Sequence, residues 1–293
     1  MQFTSVAKPE YFYQPLQLFR RLRAEFVPCN TPVRLRLPGG AEFVAPGADH
    51  IAQAILHLGV FDLVVTEALW RLIEPGDVAV DAGANIGYMS SIMAARAAQV
   101  WAFEPHPQLF RELQVNCDLA RAKHTRVKLE SRQVGLSQRT CKLFLEPFDP
   151  ASGNRGTSTV IDRAATNAVE VCACRLDDVL DGVGQVGLMK VDVEGHERPL
   201  LEGAAQLLAR RAIRDIVFEE HRDYPSDVTI LLESSGYHVF RLHRRFRGPA
   251  LLEPQSSVRR VQWEATSFLA TLDPQRAQAR FAPRGWQCLR GGR

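Results

Sequence analysis

The stretch VAVDAGANIGYMSS, residues 78–91, decides how the chain is read. A short apolar run ends in Asp81, Gly83 and Gly87 bracket a short loop, and a helix begins. In an open α/β sheet, ligands bind beyond the carboxyl ends of the strands, and glycine lets the backbone come close to them. A dinucleotide site takes G-x-G-x-x-G with the pyrophosphate on a helix N-terminus. Here the pattern is D-x-G-x-N-x-G, and an acid directly before the turn repels a pyrophosphate. It suits a ligand with a cationic or hydroxylated part. The next strand, QVWAFE (99–104), ends in Glu104, where a carboxylate can accept both ribose hydroxyls. Ribose without pyrophosphate, beside a cation, describes S-adenosylmethionine.

Working outward, strands and helices alternate. DVAVDA (77–82) reads as a strand, followed by a helix to about Arg96 and the strand ending in Glu104. PHPQLFRELQVNCDLA (105–120) is amphipathic, with Leu109, Leu113 and Asn116 at helical spacing, and RVKLES (126–131) is a third strand. The rhythm resumes with VGLMKVD (186–192), a helix over 197–210, RDIVFEE (214–220), a helix over about 225–235, and the strands YHVFRL and VQWEATSFLAT. Such alternation implies parallel βαβ units. Between the two halves, RQVGLS, TCKLFLE and AVEVCAC read as a β insertion over about 133–174, crossed by the polar loop PFDPASGNRGTST. That loop is expected to act as a lid, with Asn154, Arg155 and Ser158 facing the cleft. Residues 1–60 read as a mostly helical extension or cap, 61–271 as the main domain, and 272–293 as a basic, partly disordered tail.

With 293 residues, 46% of them hydrophobic, the chain can bury a sizeable core. Its six cysteines form no CxxC pair and no zinc spacing, so free thiols in a reducing compartment are expected. The N-terminus has no signal-type apolar core. The most apolar window, residues 51–73, carries His57, Asp62, Glu67 and Arg71, which reads as one or two amphipathic helices rather than a membrane span. A cytoplasmic protein without a transmembrane segment is the expectation. The net charge of +3 conceals an asymmetry: residues 241–293 hold eleven arginines against three acids. Such a segment can attract phosphate, nucleic acid or anionic lipid. It can equally reflect an arginine-rich composition, since 31 of the 36 basic residues are Arg.

VAVDAGANIGYMSS, VWAFEPHP with Asn116 following, and LMKVDVEGHERPLLEGA (188–204) together resemble the FkbM-type S-adenosylmethionine-dependent methyltransferases. RLDDVL (175–180), VFEEH (217–221), SGYHVF (235–240) and ATSFLAT extend the resemblance to about residues 60–271, and KVDVEGHE is its specific part. The resemblance implies an α/β fold with a Rossmann-like class I methyltransferase sheet whose final strand is antiparallel. It implies S-adenosyl-L-methionine as cofactor, with Gly83, Asn85 and Gly87 along its methionine part and Glu104 on its ribose. It also implies O-methylation of a sugar, polyketide or similar hydroxyl, so the expected partner is a small-molecule or glycan acceptor.

Methyl transfer is an in-line displacement at an activated sulfonium, so alignment of the acceptor does much of the work. An alcohol also benefits from a base. Asp192 ends the fourth strand of the rhythm, Glu194 and His196 follow it, and Glu219, Glu220 and His221 end the fifth. The expected catalytic set is Asp192, His196, Glu219 and His221, with His196 or His221 as base and Asp192 positioning acceptor or cofactor. Asp192 could instead orient the loop, and His221 could be a hydrogen-bonded loop residue. No metal is expected, because the spacing of Asp192, Glu194 and His196 matches no metal motif. A base N-methylase carries (D/N)PP(Y/F) where this chain reads DVEG, and no cysteine stands where a cytosine C5-methylase needs one. RNA ribose 2′-O-methylation and a non-catalytic binding module remain as rival readings.

Overall fold

The computed structural model describes residues 8–24, 31–147, 155, 159–161, 167–222, 224–258 and 266–290. The N-terminal part comprises α1 (Pro9–Tyr13), α2 (Leu16–Ala24), β1 (Pro32–Arg36), β2 (Glu42–Pro46), α3 (His50–Leu58) and α4 (Leu63–Leu72). The first βα half follows: β3 (Val78–Ala82), α5 (Tyr88–Ala94), β4 (Gln99–Phe103), α6 (Pro107–Lys123) and β5 (Lys128–Arg132). The insertion contributes β6 (Gly135–Leu136), β7 (Cys141–Leu145), β8 (Val160–Ile161) and β9 (Val169–Cys174). The second half runs α7 (Leu176–Val179), β10 (Val186–Val191), α8 (Glu197–Glu202), α9 (Ala205–Ala209), β11 (Ile213–Glu220) and α10 (Asp227–Ser234). It closes with β12 (His238–Arg245), β13 (Gly248–Leu252), β14 (Thr266–Thr271) and α11 (Pro274–Phe281).

The main sheet has the order β13-β12-β14-β11-β10-β3-β4-β5. Its central strands are parallel, and β14 enters antiparallel between β11 and β12. This is the Rossmann-like class I methyltransferase sheet. The order reverses between β3 and β10, and such a switch point opens a crevice beyond the strand ends. Strands covered on both faces read as continuous apolar runs, and every residue of β10 is buried. On α6, Leu109, Leu113, Asn116, Cys117 and Ala120 make the buried stripe. Asn116 is polar within that stripe because its amide bonds Val44 N, Val44 O and Ile86 O, tying the β1–β2 hairpin to the sheet. The insertion forms a separate sheet in the order β6-β9-β7-β8.

The apolar window at 51–73 is two helices, bent by 81° at their junction, and no single helix among the described residues is long and apolar enough to cross a membrane. Asp49 caps α3 through Ile51 N and Ala52 N, and Gly59 ends it at φ +78°. The expected C-terminal tail is different in kind: α11, Trp286, Cys288 and Leu289 pack into the same core as α3 and α4. The reason lies in a buried ion pair on α4. Arg71 bonds Glu67 at 2.6 Å and donates to the carbonyls of Arg280, Pro283 and Gly285, while Glu67 accepts from Gln287 N and Cys288 N. These contacts satisfy backbone groups that water would otherwise have to reach, and they bind 280–288 to the domain.

Candidate active site

The β3–α5 turn forms the floor of a cavity of about 280 Å³ beyond the strand ends. Gly83 has φ +77°, and a Cβ there would lie 1.9 Å from Asp192 O. The glycine is therefore required by the close approach of the loop after β10. Gly83 and Ala84 donate their N–H groups to Phe103 O, which locks the turn to the end of β4. Asn85 follows with φ +50°. Its N–H donates to Glu104 Oε2 at 2.9 Å, and His106 N–H donates to Oε1 at 2.8 Å. Glu104 is thus buried but held by two backbone donors. Burial pushes its carboxyl up to about 7, and the two N–H groups pull against that shift. Asn85 Oδ1 is buried without a hydrogen-bond partner among the described residues, and Asn85 and Glu104 both line the cavity. A buried acceptor without a donor is costly, so a ligand bringing N–H or O–H groups fits this corner. S-adenosylmethionine brings ribose hydroxyls and an ammonium.

Two expected cofactor residues lie elsewhere. Gly87 caps α5 at φ +91°, and a Cβ there would meet Leu113 Cδ1 at 2.8 Å. It serves the packing of α5 on α6 and does not line the cavity. Asp81 is wholly buried beneath the turn. Its Oδ2 accepts from Ser90 Oγ at 2.5 Å, and its Oδ1 faces Lys190 Nζ at 3.5 Å. Asp81 supports the turn from below, because the nearest cation is the protein's own lysine.

Lys190 was not singled out by sequence reasoning, although a lone lysine in the strand VGLMKV was its signal. Its Nζ donates to Gly83 O at 2.9 Å and pairs with Asp192 at 3.1 Å. Burial alone would lower its pKa; Asp192 and Asp81 outweigh that and raise it, so the lysine is charged. It joins the ends of β3 and β10. Because β10 and β11 pair in parallel with Val191 opposite Phe218, Asp192 and Glu219 are brought together on adjacent strand ends. Glu194, at φ +49°, turns back towards them. His221 Nε2 lies 3.6 Å from Glu219 Oε1 and 4.0 Å from Glu194 Oε2. Burial is the first cause that pushes Glu219 up to about 8, and Asp192, Asp62 and Glu194 add to it against Lys190. Glu194 is raised as well, by burial and then Asp192.

Thus three of the four expected catalytic residues, Asp192, Glu219 and His221, stand together, with Glu194 added. His196 lines the cavity but is engaged elsewhere: its Nε2 is 3.0 Å from Ser137 Oγ of the insertion, and burial lowers its pKa. Strand alternation does not persist beyond β10, since Glu194 and Gly195 both take positive φ. The wall opposite comes from the N-terminal part, with Asp49, His50, Phe61 and Asp62. Arg155 of the insertion loop lines the cavity, donating to Asp49 Oδ2 at 2.8 and 3.0 Å and to Glu112 at 2.5 and 2.9 Å. Asn154 and Ser158 lie outside the described residues. No group of metal-ligating side chains stands out among the described residues.

A buried carboxylate held by two backbone donors, an acceptor beside it with no partner among the described residues, and a raised carboxyl at a strand end line one cavity. A family model described as the methyltransferase FkbM domain matches residues 81–239, from Asp81 at the end of β3 to Val239 in β12. The chain is 33% identical over 204 residues to the hexuronic acid methyltransferase AglP of Haloferax volcanii, over 63% of this chain and 80% of that one. It is 29% identical over 195 residues to the 31-O-demethyl-FK506 methyltransferase FkbM of Streptomyces tacrolimicus, over 57% and 75%. A crystal structure of methyltransferase FkbM from Methylobacillus flagellatus KT is similar with a TM-score of 0.43 and 16% identity, covering 75% of this chain and 55% of that one. The turn, the switch-point cavity and the family match lead to one conclusion: the chain belongs to the FkbM family of S-adenosylmethionine-dependent methyltransferases.

Proposed function

We propose that the chain transfers a methyl group to a hydroxyl of an uncharged sugar or secondary metabolite, with Glu219 as the base. The observation that carries this reading is the placement of Glu219 in the cavity wall beside Asp192 and Glu194, where burial and those acids push its carboxyl up to about 8. A base works best when its pKa lies near the operating pH, and an alcohol acceptor benefits from such a base. Bound S-adenosylmethionine supplies the activated methyl group. Glu104 and Asn85 hold the ribose side and the N–H donors of the cofactor. Asp192, fixed by Lys190, orients the acceptor or the cofactor ammonium. Glu219 takes the hydroxyl proton, and His221, half exposed at 3.6 Å, carries it towards solvent.

The relatives' names speak of a hexuronic acid and of an O-demethyl metabolite, and both support a small hydroxylated acceptor. Charge narrows the choice. Asp62, Asp192, Glu194 and Glu219 line the cavity around Lys190, whose charge Asp81 and Asp192 already engage. Such a wall disfavours a uronate carboxylate or an RNA phosphate. The test is a matched acceptor panel: a neutral glycoside, its uronate, its amino sugar and a short RNA, each incubated with S-adenosylmethionine. Release of S-adenosylhomocysteine with a methyl ether on the neutral glycoside is expected. The acid limb of its rate should lie at or below pH 8, and Glu219→Gln should remove that limb and lower turnover by about 10²-fold or more. Turnover with RNA or uronate alone refutes the acceptor assignment, and an unchanged limb in Glu219→Gln refutes the base.

A further inference from the structure

We propose that the face built from α1, α2 and the β12–β13 turn docks on an anionic membrane surface. On α2, Leu16 and Phe19 are three positions apart and share one side of the helix; they are 69% and 66% exposed. The opposite side is fixed inward, because Gln17 Nε2 donates to Ile55 O and Leu56 O of α3. Phe12 of α1 is 67% exposed, and its ring lies 5.6 Å from that of Phe246, at the tip between β12 and β13. Phe12 and Phe246 thus form one exposed apolar pair, and Leu16 and Phe19 an exposed apolar stripe on the helix that follows α1. Exposed apolar groups with a polar rim mark an interaction site.

The rim has one sign. Phe246 is flanked by Arg245 and Arg247, both exposed. Arg247 O accepts from Gly285 N, which brings in the neighbouring segment with exposed Arg284 and Arg290, and the Arg290 guanidinium lies 5.1 Å from the Tyr13 ring. Among the described side chains of residues 8–21, 243–250 and 282–290 there are seven basic groups and one acid, Glu10. That acid is buried and already bound by Arg244 at 2.7 Å. The arginine excess of residues 241–293 is therefore not spread evenly. Arg276 and Arg280 pair with Glu74, whereas Arg245, Arg247 and Arg284 make no ion pair among the described residues.

Charge decides the occupant. A second copy of this face would set arginine against arginine. A nucleic acid would find the phosphates' partners but leave the aliphatic Leu16 without a role. A bilayer with anionic headgroups meets both halves: apolar side chains enter the headgroup boundary, and guanidinium groups bind lipid phosphates. Near an anionic leaflet each arginine changes partition by roughly fivefold.

The experiment is co-sedimentation of the full chain with vesicles of phosphatidylcholine alone and of phosphatidylcholine mixed with phosphatidylglycerol, at low and high salt. Binding to the mixed vesicles, at least tenfold weaker on phosphatidylcholine and weakened by salt, is expected. Phe12→Ser with Phe19→Ser, and separately Arg245→Glu with Arg247→Glu, should each lower it at least tenfold. Both variants should keep the wild-type affinity for S-adenosylmethionine, measured by calorimetry, because these residues lie outside the cavity. Three results overturn the proposal: no binding to the mixed vesicles, binding that the aromatic pair does not affect, or a wild-type chain that self-associates through this face in sedimentation velocity. Arginine-dependent, phenylalanine-independent binding to RNA assigns the face to nucleic acid instead.

Discussion

Replacing Lys190 by methionine keeps the length of the side chain and removes its charge. In the native protein the ammonium faces Asp81 Oδ1 at 3.5 Å with both groups buried, and it donates to Gly83 O at 2.9 Å. Breaking a buried pair by removing one partner costs about 3–5 kcal/mol, because the other charge is left without compensation. The contact with Asp192 adds little to that figure, since Asp192 is 38% exposed and screened by water. Lys190→Met should therefore lose about 3–5 kcal/mol in urea unfolding at pH 8. The pH dependence has a defined sign. The native pKa of Lys190 is raised, so its contribution is complete below the unfolded value of about 10.4 and fades only as pH rises through the folded value. Wild-type stability thus keeps this term across neutral pH. Adding Asp81→Asn to Lys190→Met should recover part of the loss, with a coupling of about 1–3 kcal/mol. Lys190 also opposes the upward shift of Glu219, so the acid limb of the rate should move to higher pH in the variant. A loss below about 1 kcal/mol, or strictly additive single and double variants, would refute the reasoning.

Gly83→Ala should cost at least about 2 kcal/mol and abolish cofactor binding, from positive φ and the clash with Asp192 O; Gly195→Ala, with open space around its Cβ, should cost roughly 1 kcal/mol. Urea unfolding of the two variants compares them directly. Arg155→Met strands the buried Asp49, and should lower stability by about 3–5 kcal/mol and weaken S-adenosylmethionine binding in calorimetry. His196→Gln should lower turnover by less than about tenfold, against about 10²-fold or more for Glu219→Gln; the reverse order in steady-state assays would return the base to the histidine.

The βα rhythm was legible because strands covered on both faces must be apolar throughout, as β10 is. The antiparallel entry of β14 was legible only through the family resemblance, since strand order leaves no mark on local periodicity. Gly83, Asn85 and Glu104 were legible as cavity residues because each stands within a few residues of its own strand end. Asp81 and Gly87 belong to the same motif, yet they work on Lys190 and Leu113, partners distant in sequence. The same limit hid Arg71, whose role depends on carbonyls more than two hundred residues away, and so concealed the packing of the C-terminal segment. The choice of His196 assumed that alternation continues past the strand; two successive positive φ angles at Glu194 and Gly195 end it.

The claim that this cavity is the S-adenosylmethionine site is tested most directly by calorimetric titration of wild type and Glu104→Ala with the cofactor at pH 6 and pH 8. Glu104 is offered to the ribose as a buried carboxylate, and each charge-assisted hydrogen bond is worth about 1.5–3 kcal/mol. The account predicts at least tenfold weaker binding by Glu104→Ala. It also predicts a wild-type affinity that increases from pH 6 to pH 8 as a carboxyl held near 7 ionises, and a variant affinity that lacks this rise. Equal affinities for the two proteins, flat across that range, would contradict it.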